Sequence, residues 1–362
     1  MTISGWRLDW PAAGGKPVAE AILKARPEHF QVEEILDLAG FPAGSASARP
    51  EREVPGQGEH LCVRLEKTGD NTEYVARELS RLSGCQPHDV GLCGLKDRHA
   101  VTRQWFSVYR PGMMDSDADY LAAVRSRWPV LAVCRFARKL RRGEHRANRF
   151  DILLTRVEAD AGQLDQALNR LTEQGCPNYF GSQRFGWNGN NLDQACRLKP
   201  GRQRGRNNRN GLYFSAARSW FFNEVLAQRV LEGSWNQPLP GEPSENGITG
   251  PLWGDGGTTA LDQQEALERE IVARHPKLEG VFSQTRMKPE RRSLILRPGD
   301  FRWHREAPDS LRLIFELEPG QFATTLLAEV FSLTDASQTP ADKSETNETG
   351  HDQSLKTETG CQ

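Results

Sequence analysis

Long apolar runs are the first thing this sequence lacks. Its 362 residues contain no stretch of about 18 consecutive apolar side chains, the length a membrane-spanning helix requires, and the mean hydropathy is −0.64. The first residues, Met1 to Trp6, also lack the basic segment and apolar core of a secretion signal. We therefore expect a soluble, cytoplasmic protein with no membrane partner.

Paired cysteine motifs are also absent. The seven cysteines are odd in number, and none forms a Cys-x-x-Cys pair or lies at zinc-finger spacing beside the eight histidines. This pattern argues against a disulfide framework and against structural zinc, and it favours reduced, buried thiols. Heptads and long exposed apolar stripes are missing as well, so we expect a monomer.

The chain has almost no net charge, but its charges are unevenly distributed. The formal net charge is −1, and residues 335–362 hold six acids against two lysines, which is −4 and leaves +3 for the remainder. These 28 residues are rich in Ser, Thr, Gln and Asn and nearly free of apolar side chains. Their composition predicts a disordered acidic tail.

Basic residues cluster in three places. The segment Arg135 to Arg149 holds seven Lys or Arg against Glu144 alone, and Arg197 to Arg209 holds six with no acid. A third group consists of Arg286, Lys288, Arg291, Arg292 and Arg297. Such clusters suit a phosphate backbone, because affinity for nucleic acids comes largely from neutralised phosphates and released counterions. The alternative is three solvated surfaces with no ligand.

Asp97 is the strongest candidate for chemistry. It lies between Lys96 and Arg98, after a short apolar stretch and before the alternating run from Gln104 to Tyr109, so it falls in a loop between two predicted strands. Rigid scaffolds often present reactive groups in such loops. The two flanking cations favour the ionised carboxylate, which could then act as a nucleophile. A solvated surface turn would show the same triplet.

Hydrophobic periodicity predicts strands on both sides of a helix-rich middle. The predicted strands are Phe30–Glu33, Leu61–Leu65, Arg149–Leu154 and Leu311–Leu317. One predicted helix begins after Asp70 or Asn71 and ends before Gly84. The other predicted helices cover Leu164–Gln174, Ser215–Glu232, Leu261–His275 and about Gln321–Phe331. The Pro- and Gly-rich segment Phe41 to Glu59 is predicted to be a surface loop. We therefore expect an α+β fold, in which one sheet domain is interrupted by an insertion.

Six segments in this order resemble the TruD-type tRNA pseudouridine synthases. They are Lys24–Glu33, Gly94–Gln104, Arg138–Arg141 with Asn148–Phe150, Pro177–Gly186, Ser215–Ser219 and Pro319–Thr324. The resemblance implies a pseudouridine synthase catalytic domain with a central mixed β-sheet flanked by helices, interrupted by a family-specific inserted α/β domain. It places the catalytic domain at residues 1–174 and 297–334, the insertion at 175–296 and the tail at 335–362.

The resemblance also implies a reaction, the isomerisation of uridine to pseudouridine at position 13 of tRNA, with no cofactor and no metal. Asp97 matches the family's aspartate nucleophile. Phe30, Asn148 and Phe322 match positions that hold the target nucleotide, and Lys24 and Phe150 are expected beside them. Taken without the resemblance, the aromatic residues could be ordinary core side chains, and the asparagine could cap a turn.

The sequence departs from the family pattern at His29, where an aspartate is usual, and at Ala147, where a glycine usually precedes the asparagine. Phe136 and Ala137 alter the basic stretch.

Two other functions remain open. One is a non-catalytic RNA-binding or RNA-chaperone protein. The other is a metal-dependent phosphate-ester enzyme, against which the lack of a second carboxylate near Asp97 counts.

Overall fold

The computed structural model describes residues 5–39, 41, 52–54, 56–199, 201, 208–243 and 247–338. Within these residues the chain forms fifteen β-strands and eight α-helices. The strands are β1 (Ala19–Leu23), β2 (Phe30–Ile35), β3 (Arg52–Val54), β4 (His60–Lys67), β5 (Val90–Leu92), β6 (Val101–Tyr109), β7 (Val130–Phe136), β8 (Ala147–Ala159), β9 (Cys176–Pro177), β10 (Thr249–Leu252), β11 (Glu290–Ser293), β12 (Ile295–Leu296), β13 (Gly299–Ala307), β14 (Ser310–Leu317) and β15 (Phe331–Asp335). The helices are α1 (Thr72–Ser83), α2 (Asp117–Arg125), α3 (Ala161–Gln174), α4 (Asn190–Ala195), α5 (Asn208–Leu231), α6 (Asp262–Ala273), α7 (Pro276–Glu279) and α8 (Ala323–Ala328).

An eleven-stranded mixed sheet forms the centre of the molecule. Its main order is β13-β14-β8-β2-β6-β4-β7-β3, while β1 pairs with β8 and β15, and β5 pairs with β6. The β2–β6, β1–β15 and β3–β7 pairs are parallel and the other pairs of this sheet are antiparallel. The predicted α+β class with a central mixed sheet is confirmed.

Two groups of helices cover the same face of this sheet. Helices α3 and α8 pack on the half formed by β1, β8 and β14, and α1 and α2 pack on the half formed by β4 and β6. In the parallel pairing of β2 with β6, Val32 lies opposite Thr102. Paired side chains share a face of the sheet. The apolar cluster under α3 and α8 and the apolar cluster under α1 and α2 therefore lie side by side, with polar residues of β2 and β6 at the boundary.

Local signals in the sequence account for the helix ends. The Asn71 side chain accepts a hydrogen bond from the Tyr74 N–H at 2.7 Å and caps α1, and Gly84 ends it in the left-handed conformation with φ 75°. Asp160 caps α3 in the same way through the Gln163 N–H, at 2.9 Å. Val75 and Leu79, one turn apart, are fully buried. The predicted helices α1 and α3 are confirmed.

A second aromatic core lies outside the sheet. It is built around α5 from Trp220, Phe221 and Phe222, and takes in residues from Tyr179 to Leu294. The N-terminal segment joins this core, because the Trp6 ring lies edge-on against Trp220 at 5.0 Å and its Nε1 donates to Asp193 at 2.8 Å. Residue 6, which the sequence predicts to be part of the sheet domain, therefore also contacts this second core.

Several bounds differ from the sequence predictions. Helix α8 ends at Ala328 and Phe331 begins β15, because residues 331–335 pair in parallel with β1. Residues 335–338, assigned to the tail, finish that strand and form a 3₁₀ turn. The rest of the predicted tail, from 339, lies outside the described residues, as do residues 42–51 and 55 of the predicted 41–59 loop.

The basic clusters are only partly surface. Arg135 is buried and its guanidinium binds Asp117, while Arg291 is bound to Glu268 at 2.7 Å. Arg138 pairs with Glu144 at 2.5 Å. These cations have partners within the protein, so they are less available to a phosphate backbone than the sequence predicted. Residues 200 and 202–207 of the second cluster lie outside the described residues.

Candidate active site

Asp97 lies in the loop that joins β5 to β6, at the boundary between the two helix-covered halves of the sheet. Side chains of the neighbouring elements hold this loop. Thr72 of α1 accepts a hydrogen bond from the Lys96 N–H at 2.9 Å, and Gln104 of β6 donates to the Gly94 carbonyl at 3.1 Å. The Asp97 side chain remains 37% exposed. The loop is therefore fixed at its base and presents its carboxylate to solvent, as the sequence predicted.

The cation that contacts this carboxylate comes from a distant part of the chain. Lys24, immediately after β1, donates from Nζ to Asp97 Oδ2, and the His99 N–H donates to Oδ1 at 2.9 Å. The same ammonium lies 4.7 Å from the centre of the Phe30 ring and 3.9 Å from Asp335 Oδ2. Lys24 has a positive φ of 56°, so its backbone is strained where the side chain turns toward Asp97.

These contacts keep Asp97 ionised. Burial by itself would raise the pKa of Asp97, but the hydrogen bonds from Lys24 and from the His99 backbone, together with their charges, bring the pKa below its ordinary value. The sequence predicts that Lys96 and Arg98 keep the carboxylate ionised. That prediction is wrong for Lys96, whose ammonium is bound to Glu34 at 2.7 Å.

A second lysine lies beneath the loop and was not found by sequence reasoning. Lys67, at the end of β4, is 2% exposed and donates to the Asp70 carbonyl at 2.8 Å and to the Asp97 carbonyl at 3.5 Å. Burial lowers the pKa of Lys67 to about 8, although Asp70 raises it. Its position on an alternating strand showed only that it faces the helices, so the sequence held no signal for this contact.

Asn148 is linked to the Asp97 loop through the buried pair of Glu34 and Lys96. It lies opposite Glu34 in the β2–β8 pair, and Glu34 is the partner of Lys96, the residue before Asp97. The Asn148 amide nitrogen lies 3.1 Å from His145 Nε2, while Asn148 Oδ1 is buried and has no hydrogen-bond partner in the described structure. Burial lowers the pKa of His145. A neutral imidazole can accept from the amide, which leaves the amide oxygen as an open acceptor.

The predicted aromatic residues divide between two clusters. Phe30 and Phe150 are 5% and 8% exposed, lie 6.0 Å apart edge to face, and belong to the core covered by α3. Phe322 is half-buried at the start of α8 and packs against the second aromatic core. It follows β14, whose last residue, Leu317, lies opposite Asn148. Lys24, Asp97 and Phe30 are thus in one group, whereas Phe322 belongs to the second core.

The described part of the chain contains no candidate metal site and no candidate membrane-spanning helix. No group of three or more His, Cys, Asp or Glu side chains there is arranged to hold a metal ion. None of the described helices is both long enough and apolar enough to cross a membrane.

The fold and the site together define an α+β protein with a mixed sheet, two sets of helices on one face of that sheet and a partly exposed carboxylate at the boundary between them. A crystal structure from Methanosarcina mazei, titled as that of a tRNA pseudouridine synthase D (TruD), is similar to this protein in fold. It superposes with a TM-score of 0.58 at 20% sequence identity, covering 87% of this chain and 94% of that one. The two proteins therefore share a fold.

Sequence comparison places the chain more narrowly. The family model for tRNA pseudouridine synthase D (TruD) matches residues 13–192. The tRNA pseudouridine synthase D of Marinobacter nauticus is 54% identical over 345 residues, which cover 92% of this chain and 97% of that protein. That of Stutzerimonas stutzeri is 41% identical over 351 residues, covering 89% and 96%. The chain belongs to the tRNA pseudouridine synthase D family.

Proposed function

We propose that this protein isomerises uridine to pseudouridine in tRNA, at position 13, with Asp97 as the nucleophile and with no cofactor. The relatives named above are tRNA pseudouridine synthases, which supports the reaction and the substrate class. The observation that carries the role of Asp97 is its contact with Lys24. An ionised carboxylate that is partly exposed is what attack on a sugar or base requires.

The reaction is balanced without any external reactant. The bond between N1 of the base and C1′ of the sugar breaks, the uracil turns, and a bond forms between C5 and C1′. The C5 proton leaves and N1 gains a proton, so there is no net oxidation or hydrolysis. Asp97 can assist either by covalent attack or by removing the C2′ proton, and both routes use the ionised form.

The groups around Asp97 suit an extruded uridine. A base can be modified only after it leaves its stack, and enzymes then hold it with aromatic rings and hydrogen bonds. Asn148 Oδ1 is buried and unpartnered in the described structure, and once its side chain turns toward a bound base it can accept from the N3–H donor of uracil, whereas cytosine has an acceptor at that position. Phe322 is half-buried and retains ring surface for stacking, while the Phe30 ring contacts the Lys24 ammonium and packs against Phe150 in the core.

Release of tritium tests the reaction directly. Unmodified tRNA carrying [5-³H]uridine is mixed with the protein, and label released from C5 is counted. We expect release of one tritium for each target uridine, together with pseudouridine at position 13 when the product is mapped. Binding of tRNA with no release would favour an RNA-binding or RNA-chaperone protein instead. Release mapped to another position would refute the site assignment alone.

The variant Asp97→Asn tests the nucleophile. We expect turnover to fall by more than about 10³-fold, because the amide cannot attack, while tRNA binding stays within about twofold of wild type. Asp115→Asn, at an exposed aspartate far from the loop, is the matched control and should retain full turnover. Retained activity in purified Asp97→Asn would exclude this residue as the nucleophile.

A further inference from the structure

The motif Pro177 to Gly186 has no role in the site described above, although two cations converge on it. The guanidinium of Arg292, on β11, lies 4.1 Å from the centre of the Phe180 ring, and that of Arg184 lies 5.2 Å from the same ring. Two arginines from segments more than 100 residues apart thus lie beside one aromatic side chain. Burial lowers the pKa of Arg292, and repulsion by the like charge of Arg184 lowers it further. An anion bound by both arginines would offset that repulsion.

Neither of these arginines has an acidic partner among the described residues. Arg184 donates to the Ser215 hydroxyl at 3.0 Å, and Arg292 Nε is buried with no hydrogen-bond partner there. Other arginines in this part of the molecule behave differently. Arg218, Arg229 and Arg291 each bind a glutamate. Arg184 and Arg292 therefore lack the kind of acidic partner that these three arginines have.

Arg292 also connects this pair to the candidate active site. Its Nη2 donates to the Asn178 side-chain oxygen at 2.6 Å and to the Gly320 carbonyl at 2.9 Å. Gly320 lies two residues before Phe322, at the turn that leads from β14 into α8. An anion bound by the two arginines would consequently lie next to the residue expected to contact the target nucleotide.

We propose that Arg184 and Arg292 together bind one phosphate of the RNA backbone, adjacent to the target uridine. This inference rests on the proposed function for its ligand. Guanidinium groups recognise phosphate through two parallel hydrogen bonds, and the open donors of this pair have the required chemistry. Burial and the Arg184 charge lower the pKa of Arg292 to about 10. A bound anion would offset this destabilisation of the charged guanidinium.

A purely structural role makes a different prediction. Stacking on Phe180 and bonds to carbonyls would stabilise the fold, so loss of an arginine would lower stability without changing how the protein responds to RNA charge. A phosphate site instead links each arginine to one RNA linkage. The experiment must therefore remove the arginine charges from the protein and single phosphate charges from the RNA, each independently of the other.

The test measures binding of tRNA in which single linkages near the target uridine are replaced by neutral methylphosphonates. Wild type, Arg184→Gln, Arg292→Gln and the double variant are compared with Arg274→Gln, a control that removes an exposed cation already paired with Glu270. We expect one methylphosphonate position to weaken wild-type binding about 10-fold and to have no further effect in the double variant. The control should behave as wild type.

Salt dependence provides a second readout. The slope of log K against log salt should fall by about 0.7 to 0.9 for the lost phosphate contact in each variant. Arg184→Gln is informative even if Arg292→Gln unfolds, because Arg184 has only one side-chain hydrogen bond among the described residues. Equal methylphosphonate penalties in wild type and variants would overturn the proposal.

The two proposals fail separately. Tritium release by wild type is measured first and tests isomerisation alone. The methylphosphonate experiment reports binding, so the phosphate site can be demonstrated even if no label is released, and it can be refuted in a fully active enzyme.

Discussion

At the scale of single residues, the ion pair of Lys24 and Asp97 is the decisive feature. The lysine side chain is 8% exposed and the aspartate side chain 37%, so the cation is held inside the protein and the anion is partly open to solvent. Such a pair is screened less by solvent than a surface salt bridge. The lysine therefore sets the charge state of the carboxylate while leaving one side of it accessible.

Replacing Lys24 tests this dependence. The lowered pKa of Asp97 means that activity should be present above that pKa and lost as pH falls through it. In Lys24→Met the carboxylate loses its cation, so its pKa rises and the acid limb of kcat/KM should move to higher pH. The profile is measured by tritium release, with Lys16→Met as the exposed control. An unmoved acid limb would show that Lys24 does not control this ionisation.

At the scale of elements, the buried pair of Glu34 and Lys96 joins strand β2 to the Asp97 loop. Their side chains are 0% and 5% exposed, and Glu34 also accepts from the Trp105 N–H at 3.2 Å. A buried pair of this kind contributes little net stability, but each partner prevents the other from remaining as an isolated charge. The pair therefore determines where the loop sits.

A double-mutant cycle measures that coupling. Lys96→Met should lower the free energy of unfolding by about 3 to 5 kcal/mol, because Glu34 is left buried without a cation. Adding Glu34→Gln should restore most of this loss, since the amide can still accept from Trp105. Urea denaturation gives the values, and Glu265→Gln at an exposed helical pair is the control, with a cost below about 1 kcal/mol. Additive losses in the double variant would contradict the coupling.

Elements with strong local signals were predictable. Helix α1 carries its cap at Asn71, its terminator at Gly84 and an apolar stripe, and all of these are read from neighbouring residues. Strand β7 was missed because its residues, Val130–Phe136, are buried on both faces and show no alternation. Helix α8 was predicted too long because pairing with β1, some 300 residues away, turns Phe331 into a strand residue.

At the scale of the whole molecule, the N-terminal segment connects the two cores. Trp6 packs in the aromatic core around α5, and the Gly14 N–H donates to Glu329 Oε2 at 3.3 Å, beside the strand pair β1–β15. Burial raises the pKa of Glu329 to about 7, although the Gly14 and Ala13 N–H groups and Arg170 lower it. This carboxyl is therefore a built-in source of pH-dependent stability.

The sign of that dependence follows from the raised pKa. Glu329 binds its proton more tightly in the folded protein, so its contribution to stability is full below its unfolded pKa of 4.5 and is lost as pH rises through about 7. In Glu329→Gln this loss should disappear. The free energy of unfolding of the variant minus that of wild type should therefore be on the order of 3 kcal/mol larger above pH 7 than at low pH. Thermal unfolding from pH 4.5 to 8 measures it. Parallel profiles for the two proteins would count against the raised pKa.

The sequence by itself determined the α+β class, most of the long helices and strands, and the loop position of Asp97, because these depend on periodicity, caps and turn residues that act over a few positions. Only the tertiary structure decided that Lys24 contacts that carboxylate, that Lys96 is bound to Glu34, and that Arg184 and Arg292 share one aromatic ring. Those contacts join residues tens to hundreds of positions apart. They depend on strand register and on which charges burial forces into pairs, neither of which is encoded in any local pattern.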